Sequence, residues 1–244
     1  MKILATDTSA TTASVAICED GKLLAEYTVN NGNTHSETLL PMVEAALRAL
    51  SLTTADIDLF ACSAGPGSFT GVRIGAATVK GLAFATNKPC VAVSTLEALA
   101  YNLVGYRGLI CPVMNARRSQ VYTALFESDG VSITRLSDDE AISIAELDEK
   151  LAALGKPVRF CGDGYDVTLA GLKATEVIET PERARYQSAH SVATVAKARF
   201  EAGESVSDKE LVATYLRPCQ AERERLERLA AEAAQKTNQS IGDK

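Results

Sequence analysis

Three strand-like runs stand at the head of this chain with no helix between them, and that order constrains its fold more than any other feature. Residues 2–6 form an apolar run, residues 14–18 a second and Lys22–Val29 a third, with Asp20-Gly21 as a two-residue hairpin signal before the third. Strands joined so closely are antiparallel neighbours, unlike the strand–helix–strand opening of a dinucleotide-binding fold. A helix follows over residues 36–50. Thr34 and Glu37 suit a capping box there, and Leu39, Met42, Val43, Ala46, Leu47 and Leu50 recur at helical spacing, with Pro41 expected to loosen or kink the early turns. Residues 58–63 read as a strand. A glycine-rich loop then enters a small-residue helix ending near Thr86, residues 89–93 give another strand, and residues 96–103 a helix.

A second, shorter round begins at residues 109–114 and 120–126, read as a hairpin across Asn115-Ala116-Arg117-Arg118. A strand near 131–134, a helix near 144–154, a strand at 158–161, a short helix after Gly164 and a strand at 176–178 complete it. From Ser188 a long helix carries Val192, Val195, Ala196 and Phe200 on one face. Residues 1–104, completed by the helical region 188–220, are therefore expected to form one lobe and 105–187 a smaller one. Residues 221–244, which alternate Arg and Glu before a polar end, read as a solvated helical and disordered tail.

Composition narrows the classes of function. Hydrophobic residues make up 46% of the 244 and charged residues 23%, enough apolar material for a real core. No apolar run approaches the roughly 20 residues that cross a bilayer, and Asp7 comes too early for a signal peptide, so a cytoplasmic location is expected. Six cysteines (Cys18, Cys62, Cys90, Cys111, Cys161 and Cys219) stand far apart without a Cys-x-x-Cys pair. Four lie in apolar strand-like runs and read as buried, reduced thiols. The formal charge of −6 removes the driving force for tight, unaided nucleic-acid binding.

Two segments invite a phosphate reading. Asp7, followed by Thr8, Ser9, Thr11 and Thr12, has the oxygens to hold a hard cation and phosphate, or else simply caps its own turn. The loop Gly65-Pro66-Gly67-Ser68-Phe69-Thr70-Gly71 fits neither named phosphate motif. Three residues rather than two separate Gly67 from Gly71, and no Gly-Lys-Ser/Thr follows. Gly71, Gly75, Ala77 and Gly81 instead permit close backbone approach within the lobe or across a subunit boundary. Gly162-Asp163-Gly164 reads as a turn and cap, or as a second phosphate loop. His35 and His190 are far apart and without metal-type neighbours, and no nucleophile–base motif occurs.

Taken together, Ile3-Leu4-Ala5-Thr6-Asp7-Thr8-Ser9, the string from Ala64-Gly65-Pro66-Gly67 through Val72-Arg73-Ile74-Gly75, and Val93-Ser94-Thr95-Leu96-Glu97-Ala98-Leu99 resemble the TsaB (YeaZ) family. Tyr215-Leu216-Arg217-Pro218 extends the match late in the chain. The resemblance implies a two-lobed actin/sugar-kinase (ASKHA-like) α/β fold with a reduced second lobe. It also implies a non-catalytic dimerisation subunit of the machinery that places threonylcarbamoyl on tRNA adenosine beside the anticodon. The catalytic paralogue of that family, TsaD, carries a His-x-x-x-His metal pair after the strand matching 91–93, where this chain has Thr95 and Leu99. Neither can replace imidazole, so the resemblance implies no catalytic residues and no metal site. Asp7, Thr8 and Ser9 become a vestigial phosphate-type turn, and Gly65, Gly67, Gly71 and Gly75 a structural loop.

The resemblance further implies that helices 36–50 and 69–86 meet the catalytic paralogue, with Leu39, Met42, Val43, Ala46, Arg73, Ala77 and Lys80 as interface candidates. A charge at Met42 or Ala77 should then weaken association without unfolding the lobe. Implied partners are the TsaD-like enzyme, a TsaE-like ATPase and a second copy of the chain when it is alone. tRNA is reached only through the complex, no cofactor is tightly held, and ATP or ADP is contacted at most within the complex. A small-molecule kinase of the same fold and a metallopeptidase are the competing readings.

Overall fold

The computed structural model describes residues 1–217 and residue 228, so the tail expected over 221–244 falls, Arg228 apart, outside the described residues. The first sheet holds β1 (Lys2–Asp7), β2 (Ala13–Glu19), β3 (Lys22–Val29), β4 (Leu59–Ser63) and β5 (Cys90–Val93) in the order β3-β2-β1-β4-β5. β1, β2 and β3 pair antiparallel, and β1, β4 and β5 pair parallel. Side chains alternate across this sheet. Leu4, Val15, Ile17, Phe60 and Cys62 meet α1 (His35–Ala49) and α2 (Phe69–Thr86) on one face. Ile3, Ala5, Ala16, Leu59 and Ala61 meet α6 (Ala189–Glu201) on the other. Cover on both faces explains why β1, β2 and β4 are buried at nearly every position.

The first helix differs from expectation at its start. Thr34 makes no side-chain cap, and α1 runs through Pro41 to Ala49. His35 anchors the start instead, donating from Nε2 to the Ala10 carbonyl at 2.7 Å. A reciprocal capping box forms further on, between Thr53 and Asp56, at a single 3-10 turn.

The second sheet runs β10 (Glu140–Ser143), β7 (Gln120–Thr123), β6 (Arg107–Asn115), β11 (Val158–Cys161) and β12 (Val177–Ile178). β8 (Phe126–Asp129) also pairs with β6, and β9 (Ile133–Arg135) with β8. The run 120–126, expected as one strand, is divided into β7 and β8. Val113 pairs with Thr123 and Ile110 with Phe126, so the register is continuous across the break. Pro112 lies between those pairs and has no N–H to donate; its carbonyl accepts from Thr123 Oγ1 at 2.9 Å. β10 escapes sequence reading because Glu140 and Ser143 flank only two apolar residues. α4 (Ile144–Ala152) and α5 (Tyr165–Gly171) pack Ile144, Leu147, Leu151 and Tyr165 against Leu109, Cys111, Val113, Val158 and Phe160.

α3 (Thr95–Tyr101) joins the two sheets. Leu96, Leu99, Ala100 and Leu103 form one apolar cluster with Ile110, Met114, Phe126 and Cys161 of the second sheet. Beside it, Ser94 Oγ donates to Asp139 Oδ2 at 2.6 Å, Arg135 reaches Asp139 at 2.6 Å and Glu97 at 3.7 Å, and Arg199 reaches Glu97 at 2.5 Å. Apolar burial and a half-buried charge network thus bind the lobes along one seam. Two mixed sheets, each flanked by helices and meeting at a cleft, make an ASKHA-like fold.

Candidate functional site

Loops after β1, β4, β6 and β11 converge with residues 214–217 on a cleft of about 690 Å³ between the lobes. The Asp7-Thr8-Ser9 turn only partly reaches it. Asp7 is buried, and its Oδ1 accepts from Ser9 N at 2.9 Å and Ser9 Oγ at 2.6 Å, while Oδ2 accepts from Ser63 Oγ. Burial raises its pKa, with the bonds from Ser63 and Ser9 opposing. Thr8 Oγ1 donates to the Gly71 carbonyl at 2.7 Å and so braces the first turn of α2. Of the three turn residues only Ser9 lines the cleft. The self-capped Asx turn is what forms.

The glycine loop is built for close approach inside the lobe. A Cβ on Gly67 would stand 2.4 Å from the Ser9 carbonyl oxygen, one on Gly71 2.0 Å from that of Thr8, and one on Gly75 2.7 Å from Thr8 Oγ1. Gly65, at φ +115°, lies under the Thr214 carbonyl, which a Cβ would meet at 2.2 Å. Ser68 then caps α2 by accepting from Gly71 N.

The other side of the cleft is Gly162-Asp163-Gly164. Gly162 (φ +106°) is pressed on the Val113 carbonyl, to which Gly164 N donates at 3.0 Å, so the segment is a turn and cap with no slack. Asp163 Oδ1 is buried there without a hydrogen-bond partner. Burial pushes the carboxyl up to about 6 from an ordinary 3.8, with the Asn115 amide pulling the other way. Below about pH 4 the group is protonated in both folded and unfolded chains. Between about pH 4 and 6 the unfolded carboxyl ionises while the buried one stays protonated, so the native state loses up to about 3 kcal/mol, the whole of it by about pH 6. Asp163→Asn is therefore expected to melt several degrees above the parent at pH 7.5 and level with it near pH 4, by calorimetry. Parallel pH profiles would contradict this burial.

Thr95 and Leu99 are wholly buried in α3. Leu99 packs in the seam between lobes, and Cys161 Sγ donates to its carbonyl at 3.3 Å. Among the described residues no group of three or more His, Cys, Asp or Glu is arranged to hold a metal ion. Cys18, Cys62, Cys90, Cys111 and Cys161 are buried free thiols, and burial lifts Cys62 and Cys111 to about 12; Cys219 lies outside the described residues.

The interface candidates divide by helix face. Leu39, Met42, Val43 and Ala46 are turned into the lobe's own core, so they offer nothing to a partner, and a charge at Met42 would unfold rather than merely uncouple. Lys80 is half-buried and donates to the Leu211 carbonyl at 3.2 Å. Arg73 and Ala77 do face solvent. They share a stripe with Gly81, whose Cβ position is open, and with Phe84, 73% exposed. Leu40 on α1 is 50% exposed. Leu40 and Phe84 lie off the buried stripes of their helices, so an apolar-period search passes over them, while Gly81 reads as a close-approach residue but is not among the interface candidates.

Sequence reading also misses the cleft mouth. Phe69 and Tyr215 stack with ring centroids 4.7 Å apart, and the Arg73 guanidinium lies 5.1 Å over Phe69. The aromatic string Gly-Ser-Phe is the only local signal, and its partner is 146 positions away. No described helix is long and apolar enough to cross a membrane.

Comparison with known proteins gives these features a lineage. Residues 22–238 match the family model described as TsaD: tRNA N6-adenosine threonylcarbamoyltransferase. A Bacillus subtilis protein, "tRNA threonylcarbamoyladenosine biosynthesis protein TsaB", is 36% identical over 74% of this chain and 78% of its own length. The Escherichia coli protein of that name is 30% identical over 89% and 95%. The solved structure of YeaZ from Pseudomonas aeruginosa superposes with a TM-score of 0.75 at 25% identity, covering 88% of this chain and 99% of that one. The chain belongs to the TsaB family and takes part in tRNA threonylcarbamoyladenosine biosynthesis.

Proposed function

We propose that the chain is a non-catalytic subunit that binds a TsaD-like catalytic paralogue and supports its transfer of threonylcarbamoyl to tRNA adenosine. The observation that carries this reading is the burial of Thr95 and Leu99, with Leu99 packed in the seam between lobes. Those are the positions where, by resemblance, the enzyme holds its metal; here Leu99 is a packing residue and Thr95 is a neutral hydroxyl buried without a hydrogen-bond partner. Asp7 adds support, since both its oxygens are taken by Ser9 and Ser63.

A chain without its own chemistry acts through a surface. The stripe Arg73, Ala77, Gly81, Phe84 on α2, with Leu40 exposed on the adjoining α1, has the small residues for close helix approach and an aromatic anchor at one end. We assign it to the paralogue, and to a second copy of the chain when the paralogue is absent. A TsaE-like ATPase joins the assembly, tRNA is met only within it, and ATP or ADP is contacted there rather than held tightly by this subunit. The cytoplasm, where tRNA is modified, is the proposed location. Threonylcarbamoyl transfer reconstituted from purified subunits tests the reading.

A further inference from the structure

We infer that the arginine rim of the interlobe cleft, formed by Arg117, Arg118 and Arg217, is a contact surface for RNA phosphates. This rests on the reading that the chain works within an assembly acting on tRNA.

The three arginines are brought together by the fold. Arg117 and Arg118 are consecutive in the turn between β6 and β7, at φ +64° and +54°, and both are exposed. Asn115 Oδ1 accepts from Arg117 N at 2.8 Å and Gln120 N donates to the Arg117 carbonyl at 3.2 Å, so the turn is held on both sides. Arg217 arrives from the far end of the chain and donates to the Gln120 side chain. Arg117 and Arg217 both line the cleft, as do Phe69 and Tyr215.

The protein carries a formal −6, and Arg135, Arg185 and Arg199 each have a carboxylate within 4.0 Å. Among the described residues, no such carboxylate stands beside Arg117, Arg118 or Arg217. Among those residues Arg48, Arg73, Arg107, Arg159 and Arg183 also have no carboxylate within 4.0 Å, so the rim is set apart by three such arginines gathered at one edge of the cleft rather than by unpaired charge alone. The one carboxylate lining the cleft is Asp163, with Oδ1 buried. Guanidinium forks match phosphate oxygens in pairs. The adjacent Tyr215 ring, 44% exposed, adds a face on which an unpaired base can stack, a feature that an acidic protein partner would not need. The acidic remainder of the chain keeps this contact weak alone and effective only beside a partner that also binds RNA.

The test is filter binding of an unmodified tRNA transcript to the assembly, titrated with potassium chloride. Arg117→Ala/Arg118→Ala is expected to weaken binding and to make the log–log salt slope shallower by about 2, about one per lost phosphate contact. Tyr215→Ala is expected to weaken binding about 5- to 100-fold with the slope unchanged. Arg73 is left intact because it also lies on the helix face assigned to protein contact. An unaltered slope in the double variant overturns the proposal, as does loss of the paralogue from the double variant in co-sedimentation, which would make the rim a protein contact. Should the parent chain form no assembly at all, the underlying reading fails separately. The same titration on the chain alone, begun at low salt where a weak contact is measurable, then decides: a shallower slope upholds the rim, an unchanged one overturns it.

Discussion

Ala77→Glu is expected to weaken association with the catalytic paralogue by about 30-fold or more while the isolated chain, diluted until it is monomeric, melts within a degree or two of the parent. The two halves of that expectation come from the same geometry. Ala77 faces solvent in the middle of α2, where exchange of alanine for glutamate removes no contact and costs a few tenths of a kcal/mol in helix propensity. Against a closely approaching partner helix, the same carboxylate must lose its water without a counter-charge. At the centre of an interface that is worth about 2 kcal/mol or more, and about 1.4 kcal/mol is tenfold in affinity. Sedimentation velocity on mixtures of the two subunits reads the association, and calorimetry reads the fold. Unchanged association would place the partner on another face, and a large drop in melting temperature would mean that Ala77 serves the lobe itself.

Gly71→Ala is expected to act in the opposite way, on the fold before any partner. Its Cβ would stand 2.0 Å from the Thr8 carbonyl oxygen, a backbone atom fixed by β1 and by the bond from Thr8 Oγ1 back to the Gly71 carbonyl. Forcing one methyl group into such a site costs about 3 kcal/mol or more. In a domain of this size that lowers the melting temperature by roughly 6–12 °C. Gly81→Ala, ten residues along the same helix, meets nothing within 4 Å and is expected to stabilise the isolated chain by about 1 kcal/mol through helix propensity. Equal effects at the two glycines would refute the division of α2 into an inward and an outward face.

That division also marks the limit of what could be read from residues alone. The strand order β1-β2-β3 and the helices that follow are legible because short turns and apolar periods are local properties. Asp20-Gly21 and the spacing of Leu39, Met42, Val43 and Ala46 each report on their own neighbourhood. The same spacing misleads about function: an apolar stripe on α1 signals burial, and the lobe's own sheet is nearer than any partner. The outward stripe of α2 has no hydropathic signature, since Ala77 and Gly81 are chosen for size. Residues 120–126 look like one strand because Pro112, the residue that interrupts the ladder between β7 and β8, lies on the opposite strand.

The site shows a similar contrast. Asp7 is conspicuous in sequence, yet its chemistry depends on Ser63, 56 positions away, whose hydroxyl occupies one oxygen. Asp163 looks like an ordinary turn residue until Gly162 and Gly164 are seen pressed against Val113, which drives its carboxyl under the cleft floor. Leu99 is the exception. By resemblance it stands where the paralogue has a metal ligand, and in the structure it packs α3 against β6 and β11.

Whether the chain acts by association alone is most directly decided by threonylcarbamoyl transfer and ATP turnover measured on purified subunits, separately and mixed. The isolated chain is expected to carry out neither, the paralogue alone to run far below the mixture, and the mixture to modify tRNA. Transfer or ATP turnover by the isolated chain at the rate of the mixture, or a paralogue equally active without it, would contradict the account.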